Sequence, residues 1–203
     1  MELTANHITL RGSLSSMPQF SHENHGRRFF RFFLEVPRLS GAVDLLPVIA
    51  REDVLNAMEL SDGDMLTVTG QVRSHKVRED GRRRLLIFVF ANLIVCEDGE
   101  PLNEVVLEGP LCREPVYRKT PLGREICDMM LAVPRAFQRA DYLPCILWGR
   151  TAVEGAQYHT RDILRITGRL QSRTYIKVTE TGSEERTAYE ISALTAEPVE
   201  KDT

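Results

Sequence analysis

The feature that most constrains this chain is an internal repeat. Laying Asn6 on Asn103, a displacement of 97, places Asn6-His-Ile-Thr-Leu10-Arg-Gly12-Ser-Leu14 on Asn103-Glu-Val-Val-Leu107-Glu-Gly109-Pro-Leu111. At the same displacement Pro18 meets Pro115, and Gly26-Arg27 meets Gly123-Arg124. Leu34-Glu-Val36-Pro37-Arg38 meets Leu131-Ala-Val133-Pro134-Arg135, and Asp44-Leu-Leu46-Pro47 meets Asp141-Tyr-Leu143-Pro144. One residue is then gained, and Thr69-Gly70-Gln-Val-Arg-Ser74 meets Thr167-Gly168-Arg-Leu-Gln-Ser172. An ungapped match of this length marks two copies of one structural unit. It predicts domains at 1–98 and 99–203, joined by the polar turn Glu97-Asp-Gly-Glu-Pro101.

Each copy reads as five strands and one short helix. In the second, alternation predicts strands over 104–111, 124–133 (stopped by Pro134), 142–148, 162–173 and 187–193. A turn runs to Pro115, and a helix over 151–158 has Thr151 placed as its cap. The first copy follows with strands over 7–14, 27–36, 45–50, 64–75 and 83–95, and a helix over 52–59. Strands in this order, with the helix between the third and fourth, predict a mostly β chain. Its two tandem oligonucleotide-binding (OB) folds are five-stranded Greek-key barrels, each with one short helix. The helix placement disfavours an SH3-like barrel.

The stretch Asp141–Arg150 holds the only tryptophan. Side chains alternate across a strand, so Leu143, Cys145 and Leu147 share the face a barrel interior needs. Tyr142, Ile146 and Trp148 share the other, which sets two large aromatics roughly 20 Å apart. Flat rings along an outer sheet face suit a ligand made of flat rings. In the first copy the same strand keeps the interior pattern and carries Leu45 and Arg51 in place of the two aromatics. The scaffold therefore does not need them.

Composition narrows the function classes. The chain is 42% hydrophobic and 27% charged, as in a soluble globular protein. No apolar run approaches the roughly 20 residues of a membrane helix. Met1–Asn6 lacks the basic start and apolar core of a signal peptide, so a cytoplasmic protein without membrane contact is expected. Cys96, Cys112, Cys127 and Cys145 are too dispersed for a zinc site or a disulfide framework, and Cys127 and Cys145 read as buried small hydrophobes. His7, His22, His25, His75 and His159 have no acidic or nucleophilic partner at a meaningful spacing, and no phosphate-binding glycine loop is present. No catalytic site, metal or cofactor is expected, and the chain reads as a non-enzyme. The net charge of −3 weighs against nucleic-acid binding by charge alone, though not against stacking combined with a local basic stripe.

With these pieces in order, the chain resembles the bacterial single-stranded DNA-binding proteins. The resemblance is carried by Asn103–Leu111, Pro115–Gly123, Met130–Val133, Tyr142–Gly149, Val153–Tyr158 and Gly168–Tyr175 of the second copy. The first copy matches only the scaffold. The resemblance implies single-stranded DNA as the partner, bound without sequence preference, with bases stacking on Phe137, Tyr142, Trp148 and Tyr175. The first-copy counterparts Ser40, Leu45, Arg51 and Val77 are not aromatic. Phosphate partners are then expected among Arg113, Arg118, Lys119, Arg135, Arg139, Arg150, Arg169 and Arg173. In the first copy the outward Phe29, Arg31 and Phe33, with Arg51, Arg73, Lys76, Arg82, Arg83 and Arg84, form a second candidate set.

The family's four-barrel assembly implies a homodimer, with 6–14, 103–111 and neighbouring sheet surfaces as interfaces and the first copy as an assembly domain. The chain stops at Glu197–Thr203 without the glycine-rich linker or the acidic, phenylalanine-terminated tip through which family members recruit replication enzymes. A role as a partner hub is therefore not expected. The competing reading is a structural or protein-interaction accessory factor with weak or no DNA binding. RNA binding by the same fold is a third.

Overall fold

The computed structural model describes residues 5–56, 58–79, 81–179 and 182–199. Its strands are β1 (Asn6–Asn24), β2 (Arg27–Pro37), β3 (Val43–Arg51), β4 (Met65–Glu79) and β5 (Arg82–Cys96), with helix α1 (Glu52–Leu55). The second set is β6 (Leu102–Pro110), β7 (Val116–Lys119), β8 (Glu125–Arg135), β9 (Arg139–Trp148), β10 (Ile163–Thr179) and β11 (Gly182–Pro198), with helix α2 (Arg150–Gly155).

Each set closes into a barrel by the same contacts. β1 pairs with β4 along one edge and with β2 along the other, where Leu14 lies opposite Leu34. β2 pairs with β3, β3 meets β5 in a short parallel contact at Val48 and Val89, and β5 returns to β4. In the second barrel the Leu14–Leu34 contact recurs as Leu111–Leu131, and the parallel closure as Cys145–Ile191. Glycines make the closures possible. A Cβ on Gly12 would strike the carbonyl of Glu35, and one on Gly109 the carbonyl of Ala132, which is the repeat partner of Glu35.

Alternation fills each interior. Ile8, Leu10, Phe32, Leu34, Leu46 and Val48 are fully buried in the first barrel. Leu107, Met129, Leu131, Leu143, Cys145 and Leu147 are buried in the second, so both expected buried cysteines lie in the core.

Several elements differ from the sequence expectation. β1 continues past Leu14 to Asn24 with register shifts on both sides of Pro18, because bulges take up a residue that cannot donate to the ladder. The second copy instead breaks there and resumes as β7, a strand that the sequence expectation does not contain. β8 runs through Pro134 to Arg135, where β9 is its ladder partner. Thr151 is not a cap. Gly149, at φ 57°, turns the chain from strand to helix, α2 begins at Arg150, and no side chain caps it. α1 spans four residues, shorter than expected. The β10–β11 arm continues well beyond the barrel, where its side chains face solvent and lose the core's apolar rhythm.

The two barrels are joined edge to edge within one chain. β1 and β6 pair antiparallel around Ile8–Val105, so Asn6 meets Leu107 and, reciprocally, Leu10 meets Asn103. This is a pseudo-two-fold axis between the repeats. Asn6 exchanges hydrogen bonds with the backbone of Val72 at 2.7 and 2.8 Å. Asn103 does the same with Leu170 at 2.7 and 2.9 Å.

Two buried aspartates complete the joint, each reaching into the other barrel. Asp44 accepts from the Ser172 N–H at 2.6 Å, the Ser172 hydroxyl at 2.9 Å, and Arg38 at 2.5 Å. Asp141 accepts from the Ser74 N–H at 2.7 Å, Arg73 at 3.1 Å and Arg135 at 3.4 Å. The hydrogen bond to Asp44 holds the Arg38 guanidinium above its ordinary pKa. Burial, aided by repulsion from Arg135, pulls Arg73 below its own, against its hydrogen bond to Asp141.

Removing a carboxylate from this joint leaves buried donors unpaired, so Asp44→Ala lowers stability by about 3 kcal/mol in urea unfolding. The β8–β9 turn carries strain of a different kind. Phe137 and Gln138 both sit at positive φ, 60° and 54°, whereas Gln138's repeat partner is Gly41 at 86°. A residue with a Cβ costs roughly 1 kcal/mol there, so Gln138→Gly is expected to raise the unfolding free energy by about that amount.

Candidate nucleic-acid interface

The four aromatics expected to stack all reach the surface. Trp148 is 43% exposed, Tyr142 37%, Tyr175 37% and Phe137 93%. Tyr142 and Trp148 stand on the outward face of β9, Tyr175 on the β10 arm, and Phe137 at the strained β8–β9 turn. Two of the rings carry cations. Lys76 Nζ lies 4.3 Å from the Tyr142 centroid, and the Arg173 guanidinium 5.6 Å from that of Tyr175.

The expected phosphate partners divide by what already holds them. Arg118 pairs with Asp128 at 2.7 Å, Arg150 with Glu154 at 2.8 Å, Lys119 with Glu125 at 3.9 Å and Arg173 with Glu190 at 3.4 Å. The first three are largely exposed pairs of small net worth that a phosphate can displace, whereas Glu190 is mostly buried beneath Arg173. Arg135 belongs to the joint through Asp141. Arg113 and Arg139 are exposed, and no ion pair among the described residues engages them. Arg169 lies on the outward side of β10, and its Nε is buried without a hydrogen-bond partner.

The first-copy set is placed as follows. Phe29 and Phe33 are half-buried on the outer face of β2, with Arg31 5.9 Å from the Phe33 ring. The His22 ring stacks on Phe29 at 4.7 Å, nearly parallel. Arg51 lies across the ladder from Phe29 and pairs with Asp53 at 3.1 Å. Arg73 is committed to the joint, Arg83 is exposed and Arg84 half-buried. The Arg82 side chain lies outside the described residues.

A groove of about 1060 Å³ runs between the barrels. Its first-barrel wall includes Phe29, Phe33 and Phe90, and its second-barrel wall Arg135, Arg139 and Tyr189. Phe90 and Tyr189 escaped the sequence reading. Phe90 alternates with the buried Val89 and Ala91, which places it outside the barrel, and that period-two signal was available. Tyr189 shares the parity of the buried Ile191 and Ala193, so the same period points it inward, and its place in the groove is made by the other repeat. Among the described residues no cluster of His, Cys, Asp or Glu is arranged to hold a metal, and no helix is long and apolar enough to cross a membrane.

Known proteins share the sequence of the second barrel and the fold of the whole chain. The model of the single-strand binding protein family matches residues 102–199, the span of the second barrel. Single-stranded DNA-binding protein B of Bacillus subtilis is 36% identical over 80 residues, an alignment covering 36% of this chain and 71% of that protein. Single-stranded DNA-binding protein 1 of Staphylococcus aureus is 40% identical over 81 residues, covering 36% of this chain and 48% of the relative. Single-stranded DNA-binding protein 3 of Clostridium acetobutylicum is 36% identical over 81 residues, covering 36% and 56%. The alignments thus span about half the length of several relatives. In overall fold the chain is similar to the wild-type single-stranded DNA binding protein from Thermus aquaticus, with TM-score 0.80 and 23% identity over 98% of this chain and 94% of that one. The two-barrel OB architecture is therefore one that a solved structure shares end to end. The chain belongs to the single-strand binding protein family.

Proposed function

We propose that this protein binds single-stranded DNA without sequence preference, mainly through its second barrel, and shields it during replication, recombination or repair. One observation carries the reading: four rings reach solvent on the second barrel at positions where the same scaffold, in the first barrel, has Ser40, Leu45, Arg51 and Val77. Exposing large rings has no structural benefit, whereas stacking on a base is worth roughly 1–3 kcal/mol each. Arg113, Arg139 and the exposed, displaceable pairs around them supply the phosphate contacts, which gives a salt-dependent affinity. The protein acts by binding and not by catalysis, in the cytoplasm.

The first barrel serves assembly. Its β1–β6 junction makes two barrels one unit, and the outer side of the joined sheet exposes Leu93 (56%) and Val95 (38%) beside threonines of β4. A second copy covering that face gives a homodimer of four barrels. The accessory-factor reading draws on the same face and on the negative net charge.

Titration with a fluorescent thymidine oligomer in low salt separates the two. Trp148 fluorescence is expected to quench on binding, and an affinity no better than micromolar sinks the DNA-binding reading. Trp148→Ala should weaken binding by roughly 1–3 kcal/mol, while Leu45→Ala leaves it within about 0.5 kcal/mol. Equal losses would overturn the dominance of the second barrel. Light scattering should return twice the 23.1 kDa of one chain, and a single-chain mass would refute the dimer.

A further inference from the structure

The pseudo-two-fold joint is made twice, and comparing its halves isolates one contact that the joint does not need. In one half, Asp44 takes the N–H and hydroxyl of Ser172. In the other, Asp141 takes the N–H of Ser74, and the next residue, Tyr142, donates its own N–H to the Ser74 hydroxyl at 2.7 Å. Tyr142 is thus pinned through its backbone to β4 of the first barrel. Two residues beyond Ser74, Lys76 places its ammonium 4.3 Å from the centre of the Tyr142 ring, well inside the range of a cation–π contact. In the mirror position the counterparts are Thr174 and Leu45, and the joint there holds without any such pair. The Lys76–Tyr142 contact therefore occurs only where the strand carries a stacking aromatic.

Lys76 is also available. It is exposed, and no ion pair among the described residues engages it. It lies near the Cys112 thiol, where with Arg113 it opposes the rise that burial imposes on that group. Its charge is thus presented to the rim of the second barrel although it belongs to the first. With Lys76 in place Tyr142 keeps 37% of its surface in solvent, enough for a base to reach the ring.

We propose that the stacking site at Tyr142 is composite: Lys76, carried by the first barrel, is a positioning residue that orients the Tyr142 ring and takes the phosphate beside the base stacked there. The proposal rests on the reading that the second barrel binds single-stranded DNA. It gives the first barrel a part in that site, beyond assembly and beyond any strand of its own. Without the first barrel the site is incomplete.

A double-mutant cycle on the full chain tests this, with a thymidine oligomer as the probe and Trp148 quenching as the readout. Lys76→Met keeps the aliphatic stem and removes the charge. With Tyr142 present it should weaken binding about fivefold to tenfold. With Tyr142→Ala the same change should cost less than about twofold, because without the ring no base is held there to bring its phosphate to Lys76. Arg83→Met, on the same hairpin, should cost the same in both backgrounds. Equal losses from Lys76→Met with and without Tyr142 would make Lys76 an independent phosphate contact and overturn the composite site, as would no loss at all. Unchanged urea midpoints for both single variants are required, since both side chains are exposed, and a drop would reassign the contact to the joint. Wild-type protein that fails to quench would sink the DNA-binding reading itself, an outcome distinct from an additive cycle.

Discussion

Two carboxylates buried between two barrels are the constraint on which the rest of this structure depends. Asp44 and Asp141 are almost fully buried, and a buried charge is tolerable only when its lone pairs are filled by good donors. Each is filled from across the joint, by a serine N–H that comes into range only when the other barrel is docked in register. The β1–β6 ladder alone fixes an edge but leaves the barrels free to hinge about it. The aspartates remove that freedom at two points on opposite sides of the axis. The groove lined by Phe29, Phe90 and Tyr189 exists as a defined shape because of it.

The repeat also separates scaffold from function without any second protein. Whatever both copies keep is what closing and docking a barrel requires: the Asn6 and Asn103 brackets, the Gly12 and Gly109 approaches, the aspartate–serine clamps. Whatever only one copy keeps is free of those duties. The aromatic quartet falls in the second class, and so does the strained pair Phe137–Gln138, which stands where the first copy relaxes into Ser40–Gly41. Holding a fully exposed phenylalanine at a left-handed backbone position is costly on both counts. Such costs persist where the residue is used.

Much of this was legible in the sequence because barrel interiors impose a strict period of two. That rhythm marks the interior faces of the barrel strands, the buried Cys127 and Cys145, and the outward placement of Tyr142 and Trp148. It failed wherever the core stopped dictating. The extension of β1 through Pro18, the β7 strand and the outer β10–β11 arm lie beyond the barrel, so their side chains carry no interior pattern. The joint was illegible for another reason. Nothing in the neighbourhood of Asp44 announces a partner 128 residues away, and Arg73 and Arg135 look like any surface cations until that carboxylate geometry claims them. Composition misled in the same way: a net charge of −3 conceals that the groove and its rim are lined with arginine.

Position-by-position comparison also made the first barrel look barer than it is. Residues opposite one another on antiparallel strands have Cβ atoms about 5 Å apart, so an aromatic moved from one member of such a pair to the other keeps its place on the sheet face. In the second barrel Trp148 lies opposite Ile126. In the first, the equivalent pair is Arg51 opposite Phe29. The ring has changed strands while keeping its place on the sheet face, and an alignment scores this as a loss. What has changed is its surroundings, since the longer β1 brings His22 flat against Phe29 and the β5 ring of Phe90 lies 6.2 Å away. A ring enclosed in this way has less free face for a base than the open Trp148. The asymmetry between the barrels is therefore a difference in how far rings are uncovered, set by the length of β1, as well as a difference in how many there are.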